Sequence, residues 1–369
     1  LSGTQIGFGD EVFTALYVTI GARFGLSTWK TVTALAVGIL TLVVLLAYAL
    51  GAGLGLLAAR SAGLARVWPR LVRAQLLAAS VVLSVAAAWR LRGLEDVLWP
   101  VLIAAVFAVI LVVALATTRG PRRGGVGTLR AWSATANTSF FVIPAAAALG
   151  GPEALVVAVL MDRLGTPLWA VYIALLRRDA PHPQRASTSW IDQSPAIALL
   201  VGLGLRALGP APEWTATVSL VAAPVLAMSG AAVFVGSVLH PSQRIPARPG
   251  LAPWLSLVLL RVALLAPLAV LAPPSATLVI VLAALSIPAF GPPQFSTVYG
   301  YAEPVVAAGA RYGWYVGALG VVAAVVLSVL SSSPPQAPAT RARDTAPAAQ
   351  RKCLPMGTDN SGPGGPRAE

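Results

Sequence analysis

Charge is what this sequence lacks most. Of its 369 residues only 11% are Asp, Glu, Lys or Arg, where a soluble globular chain carries about 25%. Acidic residues are the scarcest, 13 against 26 basic ones. Cysteine is almost missing: Cys353 stands alone, so neither a disulfide framework nor a clustered metal site can be drawn. The two histidines, His182 and His240, lie apart, between apolar runs. No metal-ligand spacing and no nucleophile–base arrangement emerges. The expectation is therefore no metal, no cofactor and no enzyme. The opening, LSGTQIGFGDE, lacks the basic n-region of a secretory signal.

What the sequence has instead is apolar length. Hydrophobic residues make up 57% and mean hydropathy is +0.79, more apolar surface than one soluble core can bury. A net charge of +13 raises the question of nucleic acid. The basic residues, however, sit between apolar runs, which points to a lipid bilayer and not to nucleic acid. The expected fold class is an all-α polytopic membrane protein.

Crossing a bilayer takes about 20 mainly apolar residues. On that template ten spans are expected, at 32–58, 72–90, 97–117, 130–149, 153–176, 191–208, 215–239, 251–272, 275–298 and 306–330. Residues 8–26 carry Asp10, Glu11 and Arg23 and read as an interfacial helix within the N-terminal segment 1–31, with an eleventh span as the alternative. The tail 331–369 is rich in Pro, Ser, Ala and Gly and reads as disordered.

Loop charge alternates. Arg60, Arg66, Arg70 and Arg73 fall between spans one and two; Arg119, Arg122, Arg123 and Arg130 between three and four. Arg177, Arg178 and Arg185 follow span five, and Arg244 and Arg248 follow span seven. The intervening loops are neutral or acidic, with Glu95, Asp96, Glu153 and Glu213. By the positive-inside rule both termini lie outside a cytoplasmic membrane. The linker 177–190 separates two five-span halves, 32–176 and 191–330. An odd number of spans per half makes the second half enter from the opposite side, the arithmetic of an inverted repeat.

The fourth span of each half carries the chemistry. The first reads Thr135-Ala136-Asn137-Thr138-Ser139, with Pro144 following; the second holds Pro288, Gly291, Pro292, Pro293 and Gln294. Proline removes an N–H and crowds the carbonyl four residues back, so both helices are expected to break there. Broken backbone at membrane depth belongs where it lines a cavity or is buried in protein, and half-helix N-termini offer N–H groups to an anion. The expected binding residues are Asn137, Thr138, Ser139, Pro144, Pro288, Pro292, Pro293 and Gln294. Asp162 and Arg163, a pair inside span five, are a mutually neutralising pair, or supply a proton- or cation-linked carboxylate, or an arginine that helps attract an anion. Arg261, in span eight, is expected to snorkel toward the cytoplasmic side. Gly51-Ala52-Gly53-Leu54-Gly55 reads as close helix packing and not as a nucleotide loop.

Asn137-Thr138, Ile143-Pro144 and Leu149-Gly150-Gly151-Pro152-Glu153-Ala154-Leu155 together resemble the Asn-Thr…Gly-x-Pro…Phe-Gly-x-Glu-Ala-Leu pattern of the auxin efflux carrier family. Gln193-Ser194-Pro195-Ala196-Ile197, Ala223-Pro224 through Met228-Ser229-Gly230-Ala231, and Pro288 through Tyr299 are similar to its later motifs. The resemblance covers most of 120–305 and is weak before residue 70. It implies ten spans and a scaffold beside a transport domain. It also implies a crossing of spans four and nine, elevator-like alternating access, small organic-acid anions as substrates and a homodimer. The chain departs from the pattern in having no asparagine in the second break, where Gln294 stands nearby, and in Gly165-Thr166 after the Asp162 pair. Two other readings stay open: a sodium- or proton-coupled symporter of the bile acid type, and a membrane protein that transports nothing.

Overall fold

The computed structural model of the chain describes residues 28–181, 194–238 and 249–331. The expected interfacial helix at 8–26, residues 182–190 of the linker, both histidines and the tail lie outside them. Thirteen stretches of helix follow in order: α1 (Thr28–Arg60), α2 (Ala62–Trp89), α3 (Glu95–Thr117), α4 (Arg123–Ala134), a π-helical turn (Thr138–Val142), α5 (Ile143–Leu164) and α6 (Thr166–Arg178), then α7 (Ser194–Leu208), α8 (Trp214–Val238), α9 (Leu251–Leu271), α10 (Pro274–Ala284), α11 (Gly291–Tyr299) and α12 (Pro304–Ser331).

Among the described residues six stretches are long and apolar enough to cross a bilayer: Thr41–Ala58, Glu95–Thr117, Thr138–Arg178, Trp214–Ala232, Leu251–Leu271 and Pro304–Ser328. Arg73–Trp89, Ser194–Leu208 and Pro274–Ala284 are shorter and also apolar. Their outward faces carry large apolar side chains, among them Leu46 and Leu50 on α1, Leu200 on α7, Val221 on α8, Val270 on α9 and Leu319 on α12. Asn137, Asp162 and Arg261 are buried. Apolar outside and polar inside is the arrangement that lipid, as solvent, selects. The chain is a multi-pass helical membrane protein.

Several helix ends differ from those expected. α1 begins at Thr28, inside the expected segment 1–31, and α2 begins at Ala62. Arg66, Arg70 and Arg73 therefore ride on α2, and only Ser61 separates it from α1. Arg123 and Arg130 lie on α4, and α6 runs through Arg178 into the expected linker. The hydrocarbon limits which residues are apolar. It does not end a helix, and arginine is a good helix former in the water beyond. The turn at Leu149-Gly150-Gly151-Pro152 is as expected: Gly151 takes φ 63°, a left-handed value that favours glycine, and the helix resumes at Pro152.

The connections gather into two sets. In one, Arg92 pairs with Glu153, and Trp89 Nε1 donates to the Gly209 carbonyl at 3.0 Å. In the other, the Gly125 N–H donates to Asp179 at 3.2 Å, the Tyr301 hydroxyl to the Leu176 carbonyl at 3.0 Å, and the Gly250 N–H to the Pro304 carbonyl at 2.8 Å. The second set includes Arg119, Arg123 and Arg178, which gather with Asp179.

Packing divides the helices into two groups. α1, α2, α7 and α8 pack chiefly on one another, while α3 to α6 and α9 to α12 form the rest; α5 touches α1, α2 and α8 and joins the two. The glycine stretch on α1 serves the first group. A Cβ at Gly51 would overlap the Met228 carbonyl, and one at Gly55 would lie 2.6 Å from the Ala232 carbonyl oxygen. Gly53 points into open space. This is close helix approach through small residues.

Candidate functional site

Two helices of the second group stop inside it. α4 ends at Ala134 before the π turn begins at Thr138, and α10 ends at Ala284 before α11 begins at Gly291. The two non-helical stretches lie against each other as an antiparallel bridge between Ala136 and Pro288. The Asn137 N–H donates to the Ile287 carbonyl at 2.9 Å and the Ala289 N–H to the Thr135 carbonyl at 3.3 Å. Each stretch thus supplies the partners that the other's backbone lost with its helix.

Pro144 is not where the first helix stops, contrary to expectation. It occupies the first turn of α5, where the missing N–H is no loss. The chain has already left the helix at Thr135–Asn137 and re-enters through the π turn, with Val142 and Ile143 N–H groups reaching back five residues to the Asn137 and Thr138 carbonyls. Asn137 caps this turn: its Oδ1 accepts the Phe140 N–H at 3.1 Å. The Phe140 carbonyl, four residues before Pro144, receives no N–H from it and accepts the Tyr48 hydroxyl of α1 instead.

Around this turn a polar cluster forms inside the apolar body. Asp162, on α5, is 4% exposed. One of its oxygens accepts the Thr138 hydroxyl and the Ser139 hydroxyl, the latter at 2.6 Å; the other accepts Arg163 Nη1 at 2.7 Å. Arg163 Nε donates to Ser84 of α2 at 2.8 Å. Within this cluster, Asn137 Nδ2 and Arg163 Nη2 are buried donors with no partner among the described residues. An amide and a guanidinium edge, both desolvated, suit an acceptor such as a carboxylate. Among the described residues no three of His, Cys, Asp or Glu gather to ligate a metal; the cluster offers hydroxyls, an amide and one ion pair.

The second break is less polar. Pro292 and Pro293 start α11, and Pro288 and Pro293 line a hollow of about 10 Å³ with Ser133, Gly309 and Trp314, room for one water at most. Gln294 lies on α11, and its side chain is outside the described residues. Asn137, Thr138, Ser139, Asp162 and Arg163 therefore come together, with Pro144 one turn beyond. Pro288 meets them through backbone, and Pro292 and Pro293 stand apart.

Three features escaped the sequence reading. An aromatic set centres on Trp132, which stacks on Trp169 at 5.8 Å and lies 5.6 Å from Tyr172 and 5.1 Å from Phe295. α12 turns a glycine face to the second break: Cβ atoms at Gly313 and Gly317 would overlap Pro288 and Ile287, and one at Gly320 the Leu285 carbonyl. The spacing Gly309, Gly313, Gly317 was the signal for it. Finally, Arg261 does not snorkel. It is 1% exposed and bonded to the ends of both broken helices, because unpaired carbonyls within reach satisfy it better than a stretched path to water.

No protein-family model matches the chain, and no curated protein matches it either.

Proposed function

We propose that the chain is a secondary transporter of small organic-acid anions, with ten spans in a 5+5 inverted repeat and spans four and nine broken and crossed. The observation that carries this reading is the Ala136–Pro288 bridge, in which the interrupted stretches after α4 and α10 meet in open backbone. Interrupted helices at the bilayer midplane are the usual construction of a carrier's binding site. On this reading α4 with the first part of α5 is span four, and α10 with α11 is span nine. The short apolar helices α2, α7 and α10 count as membrane-embedded.

The substrate carboxylate would sit at the N-terminal end of the π turn, where Asn137 Nδ2 and Arg163 Nη2 are unengaged donors and the helix dipole favours an anion. Asp162 holds Thr138 and Ser139 in place and balances Arg163. Alternating access would move the second group of helices against α1, α2, α7 and α8, elevator fashion. By the positive-inside rule the arginine-rich connections favour a cytoplasmic side for that end, which would leave both termini outside a cell membrane. A homodimer through the first group fits the family resemblance. Uniport or proton linkage is favoured over sodium because, among the described residues, a buried carboxylate, Asp162, stands beside the first break alone.

The test is flux of labelled weak carboxylates in proteoliposomes, with and without a proton gradient. The wild type is compared with Asn137→Ala and Pro144→Ala. Specific flux lost in both variants supports the site, and its dependence on the gradient names the coupling. Flux that neither substitution touches removes the site; no flux for any carboxylate removes the substrate class.

A further inference from the structure

Arg261 lies within α9, and its guanidinium meets only backbone. Nη1 donates to the Ala134 carbonyl at 2.7 Å, Nε to the Ala284 carbonyl at 3.0 Å and Nη2 to the Ser286 carbonyl at 3.0 Å. Among the described residues no carboxylate forms an ion pair with it. Ala134 is the last residue of α4 and Ala284 the last of α10. A helix C-terminus leaves its final carbonyls without N–H partners and carries the negative end of the helix dipole. Both broken helices thus turn unpaired oxygens on one point, and Ser286, in the second break, adds a third. Trp254, also on α9, supports the same end by donating Nε1 to the Ser133 carbonyl at 2.9 Å.

A buried charge without a counter-ion is strongly disfavoured unless oriented dipoles replace its water. Here the three carbonyls do so. Carbonyls converging at unwound helix ends are also how membrane carriers hold a dissolved monovalent cation. We propose that the Ala134, Ala284 and Ser286 carbonyls form a cation cradle and that Arg261 fills it permanently with a tethered cation. The two helix ends, which would otherwise repel across the break, are held by a charge that belongs to the protein. The cradle rests on the three hydrogen bonds of Arg261 alone. Its consequence for transport, that no sodium ion need bind and leave here in each cycle, rests on the proposed function.

The experiment is thermal melting of the purified full chain in detergent: wild type, Arg261→Lys, Arg261→Met and Arg261→Ala. Each is measured in millimolar guanidinium chloride and in sodium chloride of the same ionic strength. Guanidinium is the probe because the three acceptors are spaced for its planar fork. The expected order of Tm is wild type, then Lys, then Met, since lysine keeps the charge while methionine keeps only bulk. Arg261→Ala should gain a saturable rise of several degrees from guanidinium, with no rise in the wild type.

Methionine melting level with or above lysine would overturn the proposal, since charge would then not be what the cradle holds. So would a folded Arg261→Ala that ignores guanidinium. If the alanine variant fails to fold, the comparison of lysine with methionine decides alone. None of these readings depends on flux, so a chain that carries no carboxylate leaves the result intact.

Discussion

The Tyr48 hydroxyl of α1 donates to the Phe140 carbonyl, the acceptor that Pro144 leaves without an N–H. One helix of the first group thereby completes the backbone of the π turn in the second. Tyr48→Phe should destabilise the fold by about 0.5–1.5 kcal/mol, the net worth of one hydrogen bond. In a Pro144→Ala background the new N–H can serve Phe140 itself, so the cost of Tyr48→Phe should shrink. A double-mutant cycle by denaturation in detergent measures this, and strict additivity would count against the pairing.

Asp162 and Arg163 should tolerate substitution unequally. Asp162→Asn removes the charge that balances Arg163 and leaves a buried guanidinium supported by Ser84; breaking such a pair costs about 3–5 kcal/mol. Arg163→Met leaves Asp162 with two hydroxyl donors, Thr138 and Ser139, and should cost less. Thermal melts of the two variants give the order directly.

Gly51 and Gly53 are two residues apart on α1 with opposite surroundings. Gly51→Ala drives a methyl into the Met228 backbone and should cost about 1–3 kcal/mol. Gly53→Ala meets open space and should be neutral, or stabilising by up to about 1 kcal/mol through helix propensity. Equal melting temperatures for the two would contradict the α1–α8 contact.

Asp179, next to Arg178 at the end of α6, carries a pH dependence. The Arg178 hydrogen bond foremost, with help from the Gly125 N–H, holds its carboxyl below the ordinary 3.8, against the effect of burial. A folded pKa below the unfolded one contributes stability above the unfolded value and loses it as pH falls through the folded value. The melting temperature should therefore fall below about pH 4, more steeply for wild type than for Asp179→Asn. At pH 7 that variant should lose about 1 kcal/mol, as a weakened cap on α4 does.

How far the sequence was legible depended on whether the relevant physics is local. Apolar runs expected at 97–117 and 251–272 appear as helices Glu95–Thr117 and Leu251–Leu271, since hydrophobicity belongs to each residue and its near neighbours. The breaks expected at prolines were only partly legible: the first helix stops at Ala134, well before Pro144, and the second at Ala284, four residues before Pro288. Arg261 was misread for the opposite reason. Its partners are main-chain oxygens at Ala134, Ala284 and Ser286, and a carbonyl has no letter in a sequence. Tyr48 was passed over likewise, its partner being the Phe140 carbonyl. The cluster of Thr138, Ser139 and Asp162 lay between these cases: its members were each picked out, while their convergence on one carboxylate needed the fold.

The glycine face of α12 has a mechanical meaning. Where Gly313, Gly317 and Gly320 meet Pro288, Ile287 and Leu285, no layer of α12 side chains lies between that helix and the interrupted strand of backbone. A side-chain layer acts as a cushion, taking up small displacements by changing rotamers. Without it the coupling is stiff, and any shift of the second break is handed to α12 undiminished, along a lever that extends to Ser331.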